Sequence, residues 1–337
     1  MSTTLDDRAM HAESGLSAAG AAWLAAAAPA VAGIDSHAHL FVRGLPLAAQ
    51  RRHAPDYDAT LDAYVAHLSA HGLSQGVLVQ PSFLGTDNGW LAAVARRYPQ
   101  RFRGVAVVDP AIDEAQLAAL AASGIVGARL NLIGLPLPDL EQGPWPRLLA
   151  RLNALGWHIE IHRGAAELPV LLDALLAQRC TVVVDHFGRP DPAAGARDPG
   201  FRALLRRADS GRVWVKLSAA YRSVETKASA NAGAAAGDGA AAGTVLAAHL
   251  LAAFSPQRLV WGSDWPHTEH RHLVDYPSAA RDGSRYASPA RSASRANAAT
   301  APAPGRAAAA RSGSAARRRC RGDAARAAGH RPGALRE

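Results

Sequence analysis

Short apolar runs alternate with longer stretches of helical periodicity over most of the chain. Eight of the short runs are rich in β-branched residues and have few polar positions, as expected for parallel strands buried on both faces. They cover residues 31–35, 76–80, 102–108, 125–131, 157–162, 181–186, 212–218 and 258–263. The stretches between them have apolar residues three and four apart, which predicts helices. These helices cover residues 58–71, 87–98, 112–122, 144–155, 166–178, 198–209 and 241–253.

Eight strands that alternate with helices predict an α/β fold of the (β/α)8 TIM-barrel type. An open, doubly wound sheet is built from the same units and is the alternative. The barrel is favoured because no glycine-rich phosphate loop follows the first strand.

Composition divides the chain into an N-terminal arm (1–30), a barrel (31–276) and a low-complexity tail (277–337). The tail has one Leu and no Val, Ile, Phe, Met or Trp, so it cannot bury enough apolar surface to offset the entropy of ordering. We expect it to be disordered or an out-of-frame translation, with no helix to cover the eighth strand. Residues 228–243 are rich in Ala and Gly and predict a flexible loop on the catalytic rim.

The net charge of +9 comes from the tail, where 13 Arg stand against three acidic residues. The rest of the chain is nearly neutral, so a nucleic-acid partner is not indicated for the folded part; a basic nucleic-acid-binding arm has only the tail in its favour. No apolar run is long enough to span a membrane, and two cysteines cannot form a disulfide framework. A cytoplasmic location is therefore expected. The apolar stretch 15–33 lacks a basic leader and predicts an arm helix rather than a signal peptide.

Five ionisable side chains stand at the ends of predicted strands: His37, His39, His162, His186 and Asp264. His37 and His39 are two residues apart, so they point to the same face of a strand. In a barrel the carboxyl ends of all strands lie on one rim, where active sites occur. Imidazoles with a carboxylate are the donors that hold a divalent ion such as zinc. The pattern predicts a catalytic site on this rim.

The motifs "DSHAHLF", "VVVDHFGRP" and "LVWGSDWPHTEH" resemble those of the amidohydrolase superfamily, in its amidohydrolase-related branch. The resemblance covers about residues 31–276. Within that branch, "RRHAP", "VLVQPSFLGTDN", "GARLN" and "HIEIH" are most similar to the group of 2-pyrone-4,6-dicarboxylate lactonase and sulfomuconolactone hydrolase. The resemblance implies a barrel enzyme that opens the ring ester of a small carboxylated lactone.

The resemblance also implies roles for individual residues. Asp264 would accept a proton from the attacking water, and His37, His39 and His186 would complete the catalytic set. A second group would hold the anionic substrate. Its members are Ser82, Arg129, Asn131, Arg189, Arg222 and His267. Arg129 and Asn131 also indicate anion recognition by themselves, because an arginine in an apolar strand commonly binds a carboxylate.

Three positions depart from the dicarboxylate lactonase. Leu135 stands where that enzyme has a further arginine, His53 replaces a tyrosine, and Glu269 replaces an asparagine. One carboxylate contact is lost and a negative charge is gained. We therefore expect a related lactone rather than that exact substrate.

The metal content is predicted as one divalent ion, zinc for preference, or none. The candidate ligands are His37, His39, His162, His186 and Asp264. His162 replaces a tyrosine of the family member that needs no metal, which favours an ion. The fourth strand supplies no Lys or Glu to bridge a second ion, so a binuclear site is not expected.

The leading hypothesis is thus a hydrolase acting on a small anionic lactone. A non-oxidative decarboxylase of an aromatic or muconate-type acid is the nearest alternative, and an inactive barrel or a nucleic-acid-binding arm is an alternative of another class. Alternation along the sixth strand predicts that Asp185 points away from His186 and has a structural role. Lys216 is expected to pair with a barrel carboxylate or to reach the substrate. No feature of the sequence indicates an oligomeric state.

Overall fold

The protein forms a parallel (β/α)8 barrel in a computed structural model that describes residues 5–27, 31–224 and 236–286, without the side chains of 236–238. The strands follow one another around the sheet in chain order. They are β1 (Ile34–Ala38), β2 (Gln75–Val79), β3 (Phe102–Ala106), β4 (Ile125–Asn131), β5 (His158–His162), β6 (Thr181–Val184), β7 (Val213–Leu217) and β8 (Leu259–Trp261). The predicted fold class is confirmed.

Two helices precede the barrel and one helix follows each strand. The first two are α1 (Leu5–Glu13) and α2 (Ala18–Ala25). The others are α3 (Leu61–Ala70), α4 (Gly89–Arg97), α5 (Glu114–Ala122), α6 (Trp145–Ala154), α7 (Leu168–Ala177), α8 (Pro199–Arg206), α9 (Ala236–Phe254) and α10 (Tyr276–Tyr286). None of the helices in the described ranges is long and apolar enough to cross a bilayer.

The barrel closes where the chain leaves β8 and passes beside β1. The amide of His39 donates to the carbonyl of Trp265 (2.8 Å), and the amide of Asp264 donates to the carbonyl of His37 (2.9 Å). Ala38 and Trp265 form a parallel bridge at this point. This closure excludes the open sheet, and it brings the first and last catalytic motifs side by side.

Helix α10 corrects the prediction that β8 lacks a covering helix and that the tail begins at residue 277. Tyr276 is buried, stacks on His67 of α3 with 4.6 Å between ring centroids, and donates its hydroxyl to Asp35 (3.1 Å). Tyr286 is buried at the other end of the helix. Gly283 lies so close to Trp261 of β8 that a Cβ would come within 2.2 Å of the indole Nε1. Two tyrosines and small residues dock this helix, so it lacks the aliphatic periodicity that would have predicted it.

Helix α9 corrects in part the prediction of a flexible loop over residues 228–243. It begins at Ala236, so residues 236–243 of the predicted rim loop are helical. Residues 228–235 of that loop lie outside the described residues. So do residues 287–337, and with them the predictions of a disordered, out-of-frame or nucleic-acid-binding tail.

The N-terminal arm, which we define as α1 and α2, lies on the outside of the barrel. Arg8 of α1 pairs with Asp87 at 2.8 Å, and Glu13 pairs with Arg97 of α4 at 2.7 Å. His11 stands edge-on to Trp90, with 5.5 Å between ring centroids. These ion pairs and this aromatic contact join α1 to the barrel, beside the buried Ala9 and Ala12.

Candidate active site

Ionisable side chains from opposite sides of the barrel meet above the carboxyl ends of the strands. His37 ends β1 together with Ala38 and His162 ends β5, while His39, His186 and Asp264 lie shortly beyond β1, β6 and β8. All five are buried. Apolar strands carry each group to the same rim, because every strand of a parallel barrel points the same way. The convergence predicted from the sequence is present.

A left-handed backbone aims several of these side chains into the rim. His186, Asp264 and His267 have φ of 53°, 60° and 60°, which is unusual for residues other than glycine. Such conformations cost about 1–3 kcal/mol each and persist where the surroundings hold them. Here the amide of His267 donates to the carbonyl of Asp264 at 2.7 Å. The site therefore stores backbone strain in the same residues that carry its polar groups.

Asp264 has one carboxylate oxygen that is fully engaged and one that is not. Oδ2 accepts from the Tyr221 hydroxyl and from Arg222 Nε at 3.0 Å. Oδ1 is buried and has no hydrogen-bond partner among the described residues. Burial alone would raise the pKa of Asp264, but the Arg222 guanidinium and nearby His186 hold that pKa well below its usual range. Asp264 is therefore ionised, with a free oxygen.

The free oxygen Oδ1 faces imidazole nitrogens. It lies 3.6, 3.7 and 3.8 Å from Nε2 of His37, His39 and His186. Burial is the main cause that lowers the pKa of His186 to about 3 and holds the pKa of His37 well below its usual range. These two imidazoles are neutral at physiological pH, so the carboxylate faces dipoles rather than cations.

Two groups of donor atoms are close enough to hold an ion. They are His37 with His39 and Asp264, and His37 with Asp185 and His186, each with ligand atoms within 4.8 Å of one another. Tetrahedral zinc with bonds of about 2.0–2.1 Å needs ligand atoms roughly 3.3 Å apart. The Nε2 atoms of His37 and His39 are 3.3 Å apart, so the spacing suits one ion.

His162 lies outside both groups, which corrects its assignment as a metal ligand. Its Nδ1 is 3.4 Å from Arg129 Nη2, and its Nε2 is 3.3 Å from Arg189 Nη1. Both guanidinium groups can only donate, and a neutral imidazole accepts at one nitrogen, so His162 accepts from only one of the two arginines. His162 is placed to orient arginines rather than to bind a cation.

Beneath the histidines lies a group of four charged residues, here called the interior ion cluster: Arg129, Glu160, Asp185 and Lys216. Arg129 contacts Asp185 Oδ2 at 3.0 Å and Glu160 Oε1 at 3.3 Å. Lys216 Nζ pairs with Glu160 and lies 3.5 Å from Asp185 Oδ1. All four are buried. Burial and the Asp185 carboxylate raise the pKa of Glu160 to about 7, whereas Lys216 and other cations overcome burial and hold the pKa of Asp185 well below its usual range.

The position of Asp185 corrects the prediction that it points away from the site. Asp185 is still extended and shares the face of Val183, which pairs with Glu160. It is His186, with a positive φ, that leaves the alternation and turns towards the same rim. Glu160 was missed, although it stands two residues before His162 in "HIEIH" and so shares its face. That spacing was the signal that could have found it.

A small cavity of about 40 Å³ opens above these groups. Its lining includes the catalytic candidates His39, His186 and Asp264, and four of the residues predicted to bind substrate: Ser82, Arg129, Asn131 and Arg222. Arg189 reaches the site through its contact with His162. His267 does not belong to the lining, as far as the chain is described, but is buried near Tyr221, at 6.3 Å between ring centroids. The assignment of His267 to substrate binding therefore stays a prediction.

Arg52 and Tyr221 were not singled out from the sequence. Arg52 lines the cavity together with His53, Thr268 and Glu269. Burial lowers the pKa of Arg52, and the nearby Glu269 carboxylate acts in the opposite direction. Neither residue lies at a strand end, so the periodicity of the chain gives no signal for them.

Comparison with known proteins agrees with this architecture. A family model described as Amidohydrolase matches residues 34–328. The 2-pyrone-4,6-dicarboxylate hydrolase of Comamonas testosteroni is 32% identical over 246 residues, which are 72% of this chain and 79% of that protein. The 4-sulfomuconolactone hydrolase of Rhizobium radiobacter is 30% identical over 239 residues, 69% of this chain and 75% of that protein.

Among solved structures, a Pseudomonas putida protein provisionally named 2-pyrone-4,6-dicarboxylic acid hydrolase has 44% identity and a TM-score of 0.69, over 77% of this chain and 92% of that one. The 2,6-dihydroxybenzoate decarboxylase of Rhizobium shares only the fold, at 14% identity and a TM-score of 0.51 over 74% of this chain and 91% of that one. By motifs, barrel and family match together, the chain belongs to the amidohydrolase family.

Proposed function

We propose that the protein hydrolyses the ring ester of a small carboxylated lactone, with Asp264 as general base on water. The observation that carries this proposal is the free, ionised Oδ1 of Asp264 in the cavity wall, facing neutral imidazoles. The relatives named as lactone hydrolases support the same reaction class.

In this mechanism a water molecule attacks the lactone carbonyl carbon while Oδ1 of Asp264 accepts one of its protons. Tyr221 and Arg222 hold Oδ2 and so fix the direction of Oδ1. The tetrahedral intermediate then breaks the ring carbon–oxygen bond, and Asp264 returns the proton to the leaving ring oxygen. The product is the ring-opened hydroxy acid or its keto tautomer, and Asp264 is ionised again.

The charge that develops on the carbonyl oxygen needs hydrogen-bond donors fixed in advance. Ser218 Oγ lies 2.8 Å from Nδ1 of His186. If this hydroxyl donates, the proton of the neutral His186 ring sits on Nε2, on the side of Asp264 and the cavity. We assign His186 this donor role in the reaction.

The cavity is suited to a small anion. Arg52, Arg129 and Arg222 contribute guanidinium groups to its lining, and Ser82 and Asn131 contribute neutral polar groups. By binding the carboxylate of the substrate, these arginines would hold the lactone carbonyl at attack distance from the water on Asp264.

The spacing of His37, His39 and Asp264 would admit a single divalent ion, zinc for preference, although the proton positions argued below oppose its binding. When bound, such an ion would polarise the carbonyl and activate water. The steps above do not depend on it. The proposed location is the cytoplasm, in keeping with Cys180, a buried free thiol.

The test is a panel of carboxylated lactones, with acid release followed by a pH indicator and carbon dioxide release measured in parallel on aromatic acids. We expect turnover of at least one lactone, and a loss of about 10³-fold or more in kcat/KM for Asp264→Asn with an unchanged circular dichroism spectrum. The matched control is Asp173→Asn, which removes a surface carboxylate paired with Arg207 and should leave turnover unchanged. Carbon dioxide release without ring opening would support the decarboxylase alternative, and near-normal hydrolysis by Asp264→Asn would contradict the proposal.

A further inference from the structure

Lys216 of β7 lies directly beneath His37 in the barrel interior. Its Nζ is 2.9 Å from Nδ1 of His37, pairs with Glu160 and lies 3.5 Å from Asp185. The side chain is only 3% exposed. An ammonium group has three N–H donors and no acceptor, and three acceptors surround it here.

This contact decides where His37 carries its proton. Lys216 is the nearest partner of this nitrogen, and the carboxylates of Asp185 and Glu160 lie farther away, at 3.4 and 3.6 Å. Because Lys216 can only donate, its contact of 2.9 Å requires a lone pair on Nδ1 of His37. A neutral imidazole has a single N–H, so the proton of His37 lies on Nε2. That nitrogen points at Nε2 of His39, 3.3 Å away.

The contacts of His39 also require that the hydrogen bond between the two histidines runs from His37 to His39. Nδ1 of His39 lies 2.7 Å from the backbone carbonyl of Val79. A carbonyl can only accept, so His39 carries its proton on Nδ1 and presents a lone pair at Nε2. A relay therefore runs from Lys216 through His37 and His39 to Val79, and an obligatory donor at one end and an obligatory acceptor at the other fix every hydrogen bond in it.

The relay conflicts with a metal ion at this site. An ion between the two histidines needs lone pairs on both Nε2 atoms. A ligating histidine normally donates its other N–H to a carboxylate, a carbonyl or water. His39 follows this rule through Val79, whereas the nearest partner of His37 Nδ1 is an ammonium. The donor atoms are correctly spaced, but His37 is protonated on the nitrogen that would have to bind.

We propose that Lys216 is a positioning residue that fixes His37 as a hydrogen-bond donor to His39 and thereby keeps divalent ions out of the site. The proton positions and the metal content follow from the contacts of Lys216 with His37 and of His39 with Val79. Only the consequence for turnover rests on the proposed lactone hydrolysis.

The first test locates the proton of His37. In protein labelled with ¹⁵N-histidine, long-range ¹H–¹⁵N spectra distinguish the two tautomers, and His37→Gln assigns the signals. We expect the proton of His37 on Nε2 and that of His39 on Nδ1. A proton on Nδ1 of His37 in the wild-type protein would overturn the proposal.

The second test measures zinc after incubation with the ion and desalting. The wild-type protein and Lys216→Arg, which keeps an obligatory donor, should retain less than about a tenth of an ion per chain, whereas Lys216→Met should retain about one. Adding His37→Gln to Lys216→Met should abolish that binding. One zinc per wild-type chain, lost with His37→Gln, contradicts the proposal even if Lys216→Met does not fold. Both tests are independent of any lactone, so a failed substrate panel leaves their outcome intact.

Discussion

The interior ion cluster and the N-terminal arm are both held by acid–base pairs, but in opposite surroundings. Arg129 and Asp185 meet at 3.0 Å with side chains at most 3% exposed. Arg8 and Asp87 meet at 2.8 Å with side chains 19% and 34% exposed. The distances are alike, so geometry does not separate the two regions. What separates them is the cost of an unpaired charge, which is large without water and small with it.

This difference in the cost of an unpaired charge explains why the interior ion cluster is rigid and the attachment of the arm is adjustable. Inside the barrel, a missing partner leaves a charge that water cannot reach, so the four members hold one another in fixed positions beneath the histidines. On the surface, water replaces a lost partner, so the pairs of the arm adjust its attachment with little effect on the fold. Two substitutions, one in each region, measure the contrast, and a third in β5 measures the cost of charging a buried group outside both regions.

The largest effect is expected from Asp185→Asn. The substitution leaves Arg129 and Lys216 with Glu160 as their remaining cluster carboxylate, and breaking a buried ion network costs about 3–5 kcal/mol of unfolding free energy. Denaturant unfolding should show this loss equally at low salt and in about 1 M NaCl, because buried pairs are poorly screened. The control Asp173→Asn removes a carboxylate that is 61% exposed and should cost less than about 1 kcal/mol. Equal losses from the two variants would break the comparison.

An intermediate effect is expected from His158 at the start of β5. Burial lowers the pKa of His158 to about 4 from an ordinary value of 6.5. Since the folded pKa is depressed, the unfolded chain binds the proton first, and stability is lost as the pH falls from about 6.5 towards 4. His158→Gln should remove about 1–2 kcal/mol of the decrease in unfolding free energy between about pH 7 and pH 5. Identical pH profiles for the variant and the wild-type protein would show that burial of His158 does not penalise its charge.

The smallest effect is expected from Arg8→Met in the arm. The pair with Asp87 is partly exposed, so its loss should reduce the unfolding free energy by less than about 1 kcal/mol. The difference should disappear in about 1 M NaCl, because exposed pairs are screened. A loss that persists at high salt would mean that the arm is anchored as firmly as the interior. Arg8→Lys, which keeps the charge, is the control.

Residue patterning predicted the residues of the candidate active site more completely than those of the interior ion cluster. His37, His39, His186 and Asp264 were recognised because an ionisable group at the end of an apolar strand stands out. Glu160 shares the face of His162, two residues later, but it lies inside the strand and not at its end. Asp185 keeps the strand alternation, and the prediction about it failed because the positive φ of His186 turns the His186 side chain towards the same side.

The amino-acid order by itself determined the barrel, since apolar runs of strand length separated by helical periodicity can bury their surfaces in few other ways. It also determined which strand ends carry imidazoles and carboxylates. Only the tertiary structure decided which side chains contact one another. It places Arg129 and Arg189 beside His162 and Lys216 beside His37. It also buries the two tyrosines that attach α10 to the barrel. The physical reason is that a hydrogen bond depends on distances of a few tenths of an ångström between residues far apart in the chain. Periodicity fixes only the face on which a side chain lies.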